Sequence, residues 1–139
     1  MKQYPDTQSG FNLVELMIAV AIIGIITSIA VVSYRDNFLE ANRSEGIKTL
    51  LAMQLEEEKH RSDNITYGTI AEVWGGATTT ENGLYTLSIS NLSATSYTLT
   101  AIAQGEQLGD AQDGTSCTTL SLAVNAGNET KSPAVCWAS

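Results

Sequence analysis

Residues 10–32 read GFNLVELMIAVAIIGIITSIAVV, an apolar run that carries a single charged side chain, Glu15. A run of about 20 apolar residues is long enough to cross a bilayer as an α-helix. A carboxylate inside such a run is costly to bury, so Glu15 needs a partner or a function. A short polar leader, residues 1–9, precedes Gly10. The run therefore predicts a helix that is buried in lipid or against copies of itself.

The junction between the leader and the run has a specific form, Gly10-Phe11 followed by Glu15 and then by the apolar residues 16–24. In these residues the chain resembles the N-termini of type IV pilins and of the pilin-like proteins of type II secretion. An ordinary signal anchor is the alternative. The resemblance implies a class III signal, which a prepilin peptidase cleaves between Gly10 and Phe11 before Phe11 is N-methylated. It also implies that Phe11 and Glu15 are the assembly residues of a filament.

The composition limits the other functions. The 139 residues carry 7 basic and 15 acidic side chains, a formal net charge of −8. A dedicated nucleic-acid binder needs clustered Lys and Arg, so binding of DNA is possible but not favoured. Two cysteines, Cys117 and Cys136, follow an export segment, which predicts an oxidising compartment and one disulfide. The resemblance adds that a C-terminal disulfide region recurs in type IV pilins, and the Cys-Trp ending resembles some minor pilins.

The helix is expected to continue beyond the apolar run to about Arg61. Residues recurring at three- and four-residue spacing predict its buried stripe: Ala41, Ser44, Ile47, Leu51 and Leu55, with Leu50 alongside. The opposite, solvated face is predicted to carry Glu40, Arg43, Lys48, Glu57, His60 and Arg61. Pairs at helical spacing, Glu57 with Arg61 and Glu56 with Lys59, are expected to form on it.

Alternating side chains predict strands in the second half of the chain, at 85–90, 97–103 and 118–124, with a possible fourth near 134–137. Runs rich in Gly, Asn and Ser separate them and predict turns. Trp74, in the loop before the first strand, is expected either to plug the sheet edge, which is favoured, or to contact a neighbour. Asp110 and Asp113 suggest a calcium site, but their ligand pattern is incomplete, so no metal and no cofactor is predicted.

Together these patterns predict an α+β chain in which a long N-terminal helix packs on an antiparallel sheet of three to four strands, and the resemblance implies that this is the type IV pilin fold. The expected segments are a leader (1–10), a transmembrane or filament-core helix (11–33), an amphipathic helix (34–61), an αβ-loop (62–83), and the sheet with the disulfide-bounded C-terminal region (84–139). One histidine and no phosphate-binding loop leave no catalytic constellation, so the chain is not expected to be an enzyme.

The predicted function is that of a structural subunit of a type IV pilus, most like a minor pilin, serving adhesion, motility or DNA uptake. The expected partners are other pilin subunits, the prepilin peptidase and the inner membrane, which holds the subunit before it enters the extracellular pilus. Two alternatives stay open: a type II secretion pseudopilin, and a competence pilin that acts as a DNA receptor. The disulfide favours the pilus, and the acidic balance disfavours the DNA receptor.

The leader leads to a first prediction, cleavage between Gly10 and Phe11. Such a cut removes only the polar leader and keeps the apolar run, unlike a common signal peptide, whose apolar region is discarded. N-terminal mass analysis of the assembled protein should therefore find a chain that begins at a methylated Phe11. A mature chain beginning at Met1, or after Ser28, would refute the prediction.

Overall fold

A computed structural model describes Gly10 and residues 12–138, apart from the side chains of residues 31–33. The chain divides into two compact units, residues 1–35 and 36–139. The long helix α1 (Leu13–Asp63) ends two residues beyond the expected Arg61. At that end the Asn64 side-chain amide donates to the His60 carbonyl (2.8 Å), and the Arg61 guanidinium donates to the Asn64 carbonyl (2.6 Å). These bonds satisfy carbonyls that a helix end otherwise leaves free.

The described part of the first unit is mainly apolar helix, and no other described part of the chain covers its side chains. Every large apolar side chain from Leu13 to Ile29 is at least 51 % exposed. Two hydroxyls in this stretch are satisfied within the helix, since Thr27 donates to the Ile23 carbonyl and Ser28 to the Ile25 carbonyl, each at 2.7 Å. By length and composition this part of α1 could cross a membrane, and its two hydroxyls are paired as an apolar solvent requires.

The second unit is built on a four-stranded antiparallel sheet. Its strands are β1 (Tyr85–Ser90), β2 (Ser96–Ala103), β5 (Thr119–Asn125) and β6 (Asn128–Ser132), in the order β1-β2-β5-β6. A separate small hairpin joins β3 (Ala111–Gln112) to β4 (Thr115–Ser116), and the short helix α2 (Ile70–Val73) lies in the αβ-loop. Residues 78–80 cover the outer edge of β1 through two backbone bonds, Leu87 N–H to the Thr78 carbonyl (2.7 Å) and Thr80 N–H to the Tyr85 carbonyl (3.0 Å).

The fourth strand lies earlier in the chain than the sequence predicted. It is β6, whereas residues 134–137 form a 3₁₀ helix. Ala126 and Gly127 both have positive φ, 48° and 79°, as a two-residue hairpin turn requires, so the chain returns directly alongside β5. Pro133 follows β6 and has no N–H to donate to a ladder, which ends the strand.

The hydrophobic core lies between one face of the sheet and α1. The strands contribute alternating buried side chains, as predicted, and α1 contributes Leu50 and Met53, both fully buried. Gly46 is also buried, and a Cβ there would lie 3.1 Å from the Tyr85 ring, so glycine lets the ring pack against the helix. Trp74, predicted to plug the sheet edge, packs against this core. The predicted Cys117–Cys136 disulfide is formed and lies within the core.

The predicted buried face of α1 was wrong in part, although Leu50 is in the core and Ile47 packs against it, as predicted. Leu51 and Leu55, expected in the buried stripe, are 40 % and 67 % exposed. Two charged residues assigned to solvent, Arg43 and Glu57, are instead buried, at 1 % and 0 % exposure. Periodicity failed because it admitted only uncharged residues to the buried face. The predicted Glu57–Arg61 pair is absent among the described residues, whereas Glu56 and Lys59 do pair, at 3.3 Å.

Arg43 is buried because the loop after β2 supplies its counter-charge. Its Nε and Nη2 donate to the two carboxylate oxygens of Asp110, each at 2.7 Å, and Nη1 donates to Gln112. The Asp110 backbone carbonyl accepts from Cys117 N–H (2.9 Å). Nearby, Gln107 Nε2 donates to the Leu39 carbonyl (2.8 Å). Asp110, considered above for calcium, is therefore committed to fastening the chain before the disulfide onto α1.

We expect Arg43→Met to lower the free energy of unfolding by about 3–5 kcal/mol, because Asp110 is left as a buried, unpaired charge. Adding Asp110→Leu should restore most of this loss. Both effects are measured by denaturant unfolding of the detergent-solubilised chain, followed by a spectroscopic signal from the second unit. Lys59→Met is the control, since it removes a surface pair worth less than about 1 kcal/mol. A double variant no more stable than the single one would contradict this account.

Candidate functional site

The N-terminal residues singled out by the sequence lie at the start of α1. Gly10 is exposed, and a Cβ added there would meet nothing within 4 Å. Phe11 lies outside the described residues. Glu15 is exposed in the first turn of the helix, where the helix dipole favours a negative charge. Within the described part of the chain Glu15 has no hydrogen-bond or salt-bridge partner. The processing and assembly roles of these three residues stay predictions.

Asn12 belongs to the same site and was not singled out. Its side-chain oxygen accepts from Val14 N–H (3.3 Å), and its carbonyl accepts from Leu16 N–H (3.1 Å). These bonds cap the first turn of α1 and fix where the helix begins. The signal was present in the sequence, since Asn followed three residues later by Glu is a typical helix start. Asn12 thereby places Glu15 in the first turn.

The C-terminal region forms a second site around the disulfide. Cys117 and Cys136, with Cα atoms 5.6 Å apart, join the segment before β5 to the 3₁₀ helix that contains Trp137. Lys131 of β6 lies with Nζ 5.4 Å from the centre of the Trp137 ring and 2.8 Å from Glu129. Gln54 of α1 donates to the other oxygen of Glu129 at 2.7 Å. The positive charge on this surface is therefore already neutralised by the chain itself.

A buried carboxylate holds the αβ-loop against α1. Glu57 accepts from Gly68 N–H at 2.8 Å, while its second oxygen and Nδ1 of His60 are buried without a partner among the described residues. A Cβ on Gly68 would lie 2.6 Å from Val73 Cγ1 and 3.2 Å from the His60 ring, so only glycine fits. His60 is thus half-buried beneath the loop, not on the solvated face that the sequence predicted. Burial raises the pKa of Glu57.

Two tyrosines fasten the same loop through Glu58. The hydroxyls of Tyr67 and Tyr97 both donate to one Glu58 oxygen, at 3.2 and 3.1 Å, and their rings pack edge to face 4.4 Å apart. Burial, with the Glu58 hydrogen bond, raises the pKa of the Tyr97 hydroxyl. Tyr67 N–H also donates to the Ser93 carbonyl (3.3 Å). These contacts tie the loop to both α1 and the sheet.

The described residues hold no group of three or more His, Cys, Asp or Glu side chains placed to bind a metal ion. Glu56, Glu57 and Glu58 follow one another on α1, but Glu57 points to Gly68, Glu58 to the tyrosines and Glu56 to Lys59. What these side chains do is position the αβ-loop. They present no arrangement for chemistry on a substrate.

The raised pKa of Glu57 gives a signed prediction. A carboxyl group whose pKa is higher in the folded than in the unfolded chain stabilises the fold at low pH and loses that contribution as pH rises through the folded value. As the pH rises from about 4.5, the wild-type melting temperature should therefore fall relative to that of Glu57→Gln, which can still accept the Gly68 bond. Glu81→Gln, at an exposed carboxylate, is the control and should follow the wild type. Parallel wild-type and Glu57→Gln profiles would contradict the prediction.

Comparison with known proteins agrees with this geometry. Residues 6–31 match the prokaryotic N-terminal methylation motif, and residues 32–121 match a family described as type IV minor pilin ComP, DNA uptake sequence receptor. The chain is 33 % identical over 82 residues to the type IV major fimbrial protein FimA of Dichelobacter nodosus, covering 58 % of this chain and 51 % of the relative. It is 30 % identical over 64 residues to the type II secretion system core protein G of Escherichia coli (strain K12), covering 46 % and 44 %.

The chain spans about half the length of the curated relatives it matches. The match to the minor pilin family, by contrast, extends over more than half of this chain and includes β1, β2, the start of β5 and Cys117, but ends before β6 and Cys136. The methylation motif contains the Gly10-Phe11 junction and Glu15, on which the sequence-based resemblance rested. The long helix packed on an antiparallel sheet is the fold that this resemblance implied. The chain belongs to the type IV pilin family, within the group described as the minor pilin ComP.

Proposed function

We propose that this chain is a structural subunit of a type IV pilus, a minor pilin that assembles by burying its apolar helix among the helices of neighbouring subunits. One observation carries the proposal: the large apolar side chains from Leu13 to Ile29 are all at least 51 % exposed. Soluble monomers rarely expose so extended an apolar surface. A bilayer covers it before assembly, which places the subunit in the inner membrane first and in the extracellular filament afterwards.

Glu15 is the residue that we assign to assembly. Cleavage after Gly10 creates a positive α-amino group on Phe11, the nearest cation that the apolar stretch can offer. The two groups are only four residues apart in sequence, so a pair within one subunit is an alternative, and such a pair would already be satisfied in the membrane. A pair between Glu15 of one subunit and Phe11 of the next would instead set the axial register of the incoming helix. In an apolar environment the attraction between the two charges is strong.

Processing requires the prepilin peptidase as a further partner. The exposed position of Gly10 and its lack of a Cβ support this, because the enzyme can approach the backbone without a side chain in the way. The cut leaves α1 intact from its Asn12 cap onward. Removal of the leader and preparation of the assembly charge are thus one event.

Glu15→Gln tests the assembly role, since it keeps the shape of the side chain and removes its charge. Expressed with the wild-type partner subunits, the variant should be processed and held in the membrane, yet enter sheared filaments several-fold less than the wild type. Quantitative immunoblotting of membrane and filament fractions measures the ratio. Glu81→Gln, which removes an exposed charge from the turn before β1, should be incorporated normally.

Normal incorporation of Glu15→Gln would overturn the assembly role of this residue. Poor incorporation together with failed cleavage would also contradict it, because the charge would then act in recognition by the peptidase. Comparing the mass of the membrane-held variant with that of the wild type separates these two results.

Reception of DNA on the filament is a second candidate, favoured by the description of the family that residues 32–121 match. The basic side chains of the second unit offer few free charges for phosphates. Arg43 is buried against Asp110, and Lys59 and Lys131 pair with Glu56 and Glu129. A receptor built on this surface must therefore rely on contacts to bases and on shape more than on neutralised phosphates.

This charge distribution predicts a weak dependence of DNA binding on salt. Each neutralised phosphate contributes a slope of about −0.9 to the logarithmic plot of affinity against salt, so we expect a slope shallower than about −3. Titration of fluorescent duplex DNA with the detergent-solubilised chain at several salt concentrations measures it. A steeper slope would contradict this prediction, because it would show that Lys59 and Lys131 leave Glu56 and Glu129 and bind phosphates instead. No saturable binding at low salt would remove DNA reception altogether.

Service in a type II secretion system is supported by the resemblance to core protein G. The two systems differ in where the subunit accumulates. Recovery of the chain in sheared surface filaments of the native organism supports the pilus. Its retention in the cell envelope, with a loss of protein secretion on deletion, would support the pseudopilin.

A further inference from the structure

The turn before β1 contains the chain's single Asn-Gly sequence, Asn82-Gly83. Both residues are exposed, and Gly83 has a positive φ of 69°. Its N–H donates to the Thr80 carbonyl at 2.9 Å, which closes the turn. A glycine that follows asparagine leaves its backbone nitrogen unshielded by a side chain, so that this nitrogen can reach the neighbouring side-chain amide.

Glu45 of α1 holds Asn82 from the other side. Asn82 N–H donates to Glu45 Oε1 at 3.2 Å, and the side-chain nitrogen Nδ2 donates to Oε2 at 2.6 Å. Burial opposes ionisation of Glu45, but hydrogen bonds from Thr80 and Asn82 outweigh it and lower the pKa of Glu45. A charged carboxylate therefore fixes both the backbone and the amide of Asn82, and such charge-assisted bonds are the stronger kind.

We propose that Asn82 is a site of spontaneous deamidation and that Glu45 sets the rate. In the reaction the Gly83 nitrogen loses its proton to solvent and attacks Cγ of Asn82, forming a new C–N bond. The bond from Cγ to Nδ2 breaks, and Nδ2 leaves as ammonia after taking up a proton. One water then opens the cyclic imide at either carbonyl, giving aspartate or isoaspartate. The balance is one water consumed and one ammonia released, without oxidant or reductant.

The native contacts oppose this reaction at both reacting groups. The Asn82 amide must rotate out of its bond to Glu45 before Cγ can face the Gly83 nitrogen. The Gly83 N–H must also leave the Thr80 carbonyl. Removing the carboxylate of Glu45 abolishes a charge-assisted hydrogen bond, and a bond of that strength corresponds to a rate change of about tenfold or more.

The product would act on the structure. Aspartate at position 82 would put a negative oxygen where Nδ2 now lies 2.6 Å from Glu45, so attraction becomes repulsion. The turn would lose its side-chain bond to α1 and keep only the bond from the Asn82 N–H to Glu45. It borders a cleft of about 460 Å³ whose lining includes Phe38, Asn42 and Glu106, and this cleft would widen. Deamidation is irreversible, so the fraction of subunits converted at position 82 would increase with their age.

The experiment follows deamidation in the detergent-solubilised full chain, incubated at mildly alkaline pH and sampled over days. Intact mass gives the extent, and peptide mapping locates the residue. We expect Glu45→Ala to convert at residue 82 about tenfold or more faster than the wild type, and Glu45→Gln at an intermediate rate because its oxygen still accepts one bond. Glu106→Ala removes a carboxylate from the same cleft without touching Asn82 and should match the wild type.

Asn91, exposed and followed by Leu92, is the internal reference and should stay unmodified in all four chains. Equal rates in the wild type and both Glu45 variants would overturn the proposal, as would a slower reaction without the carboxylate, which would make Glu45 a promoter. Acceleration by Glu106→Ala equal to that by Glu45→Ala would also overturn it, because general loss of negative charge would then be the cause. Glu45→Gln keeps the shape of the side chain, so it decides the matter if Glu45→Ala unfolds the turn.

Discussion

The buried ion pair between Arg43 and Asp110 is the constraint on which the second unit depends. Arg43 and Asp110 are each at most 2 % exposed, and an unpaired charge is costly to bury in a protein interior. Burial of either side chain therefore requires the other beside it. Arg43 belongs to α1, and Asp110 precedes the disulfide-bounded region, 67 residues away. The disulfide joins the C-terminal 3₁₀ helix to the segment before β5. Together with the bond from Gln107 to the Leu39 carbonyl, the ion pair fixes where α1 and the loop after β2 meet.

Local patterns were sufficient for most of the fold. Strict alternation predicted β1, β2 and β5, and the two cysteines behind an export segment predicted the disulfide. The apolar run and its junction predicted the N-terminal helix. The helix and the strands depend on residues that are neighbours in sequence, and two cysteines can pair in only one way. The sequence therefore predicts these features directly.

The packed face of α1 could not be predicted in the same way. Arg43 and Glu57 are buried only because Asp110 and Gly68, distant in sequence, satisfy them. A pattern of apolar residues alone assigned such charges to solvent and chose Leu55 for the core. The same holds for the contacts of the αβ-loop. Nothing local to Gly68 reveals that Val73 and the His60 ring leave no room there for a Cβ. The fourth strand was misplaced for a local reason, because the turn at Ala126-Gly127 was recognised but the polar segment after it was not taken as a strand.

The two edge strands of the sheet are protected in different ways, and this affects how copies of the protein behave at high local concentration. Residues 78–80 already occupy the hydrogen-bonding positions outside the first half of β1, at Tyr85 and Leu87. At the opposite edge β6 is five residues long, polar throughout and marked by Glu129 and Lys131. Short, charged edges are poor templates for a foreign strand. When many copies are concentrated side by side, their sheets are thus kept from zipping together into fibrils, and contact between copies is left to other surfaces.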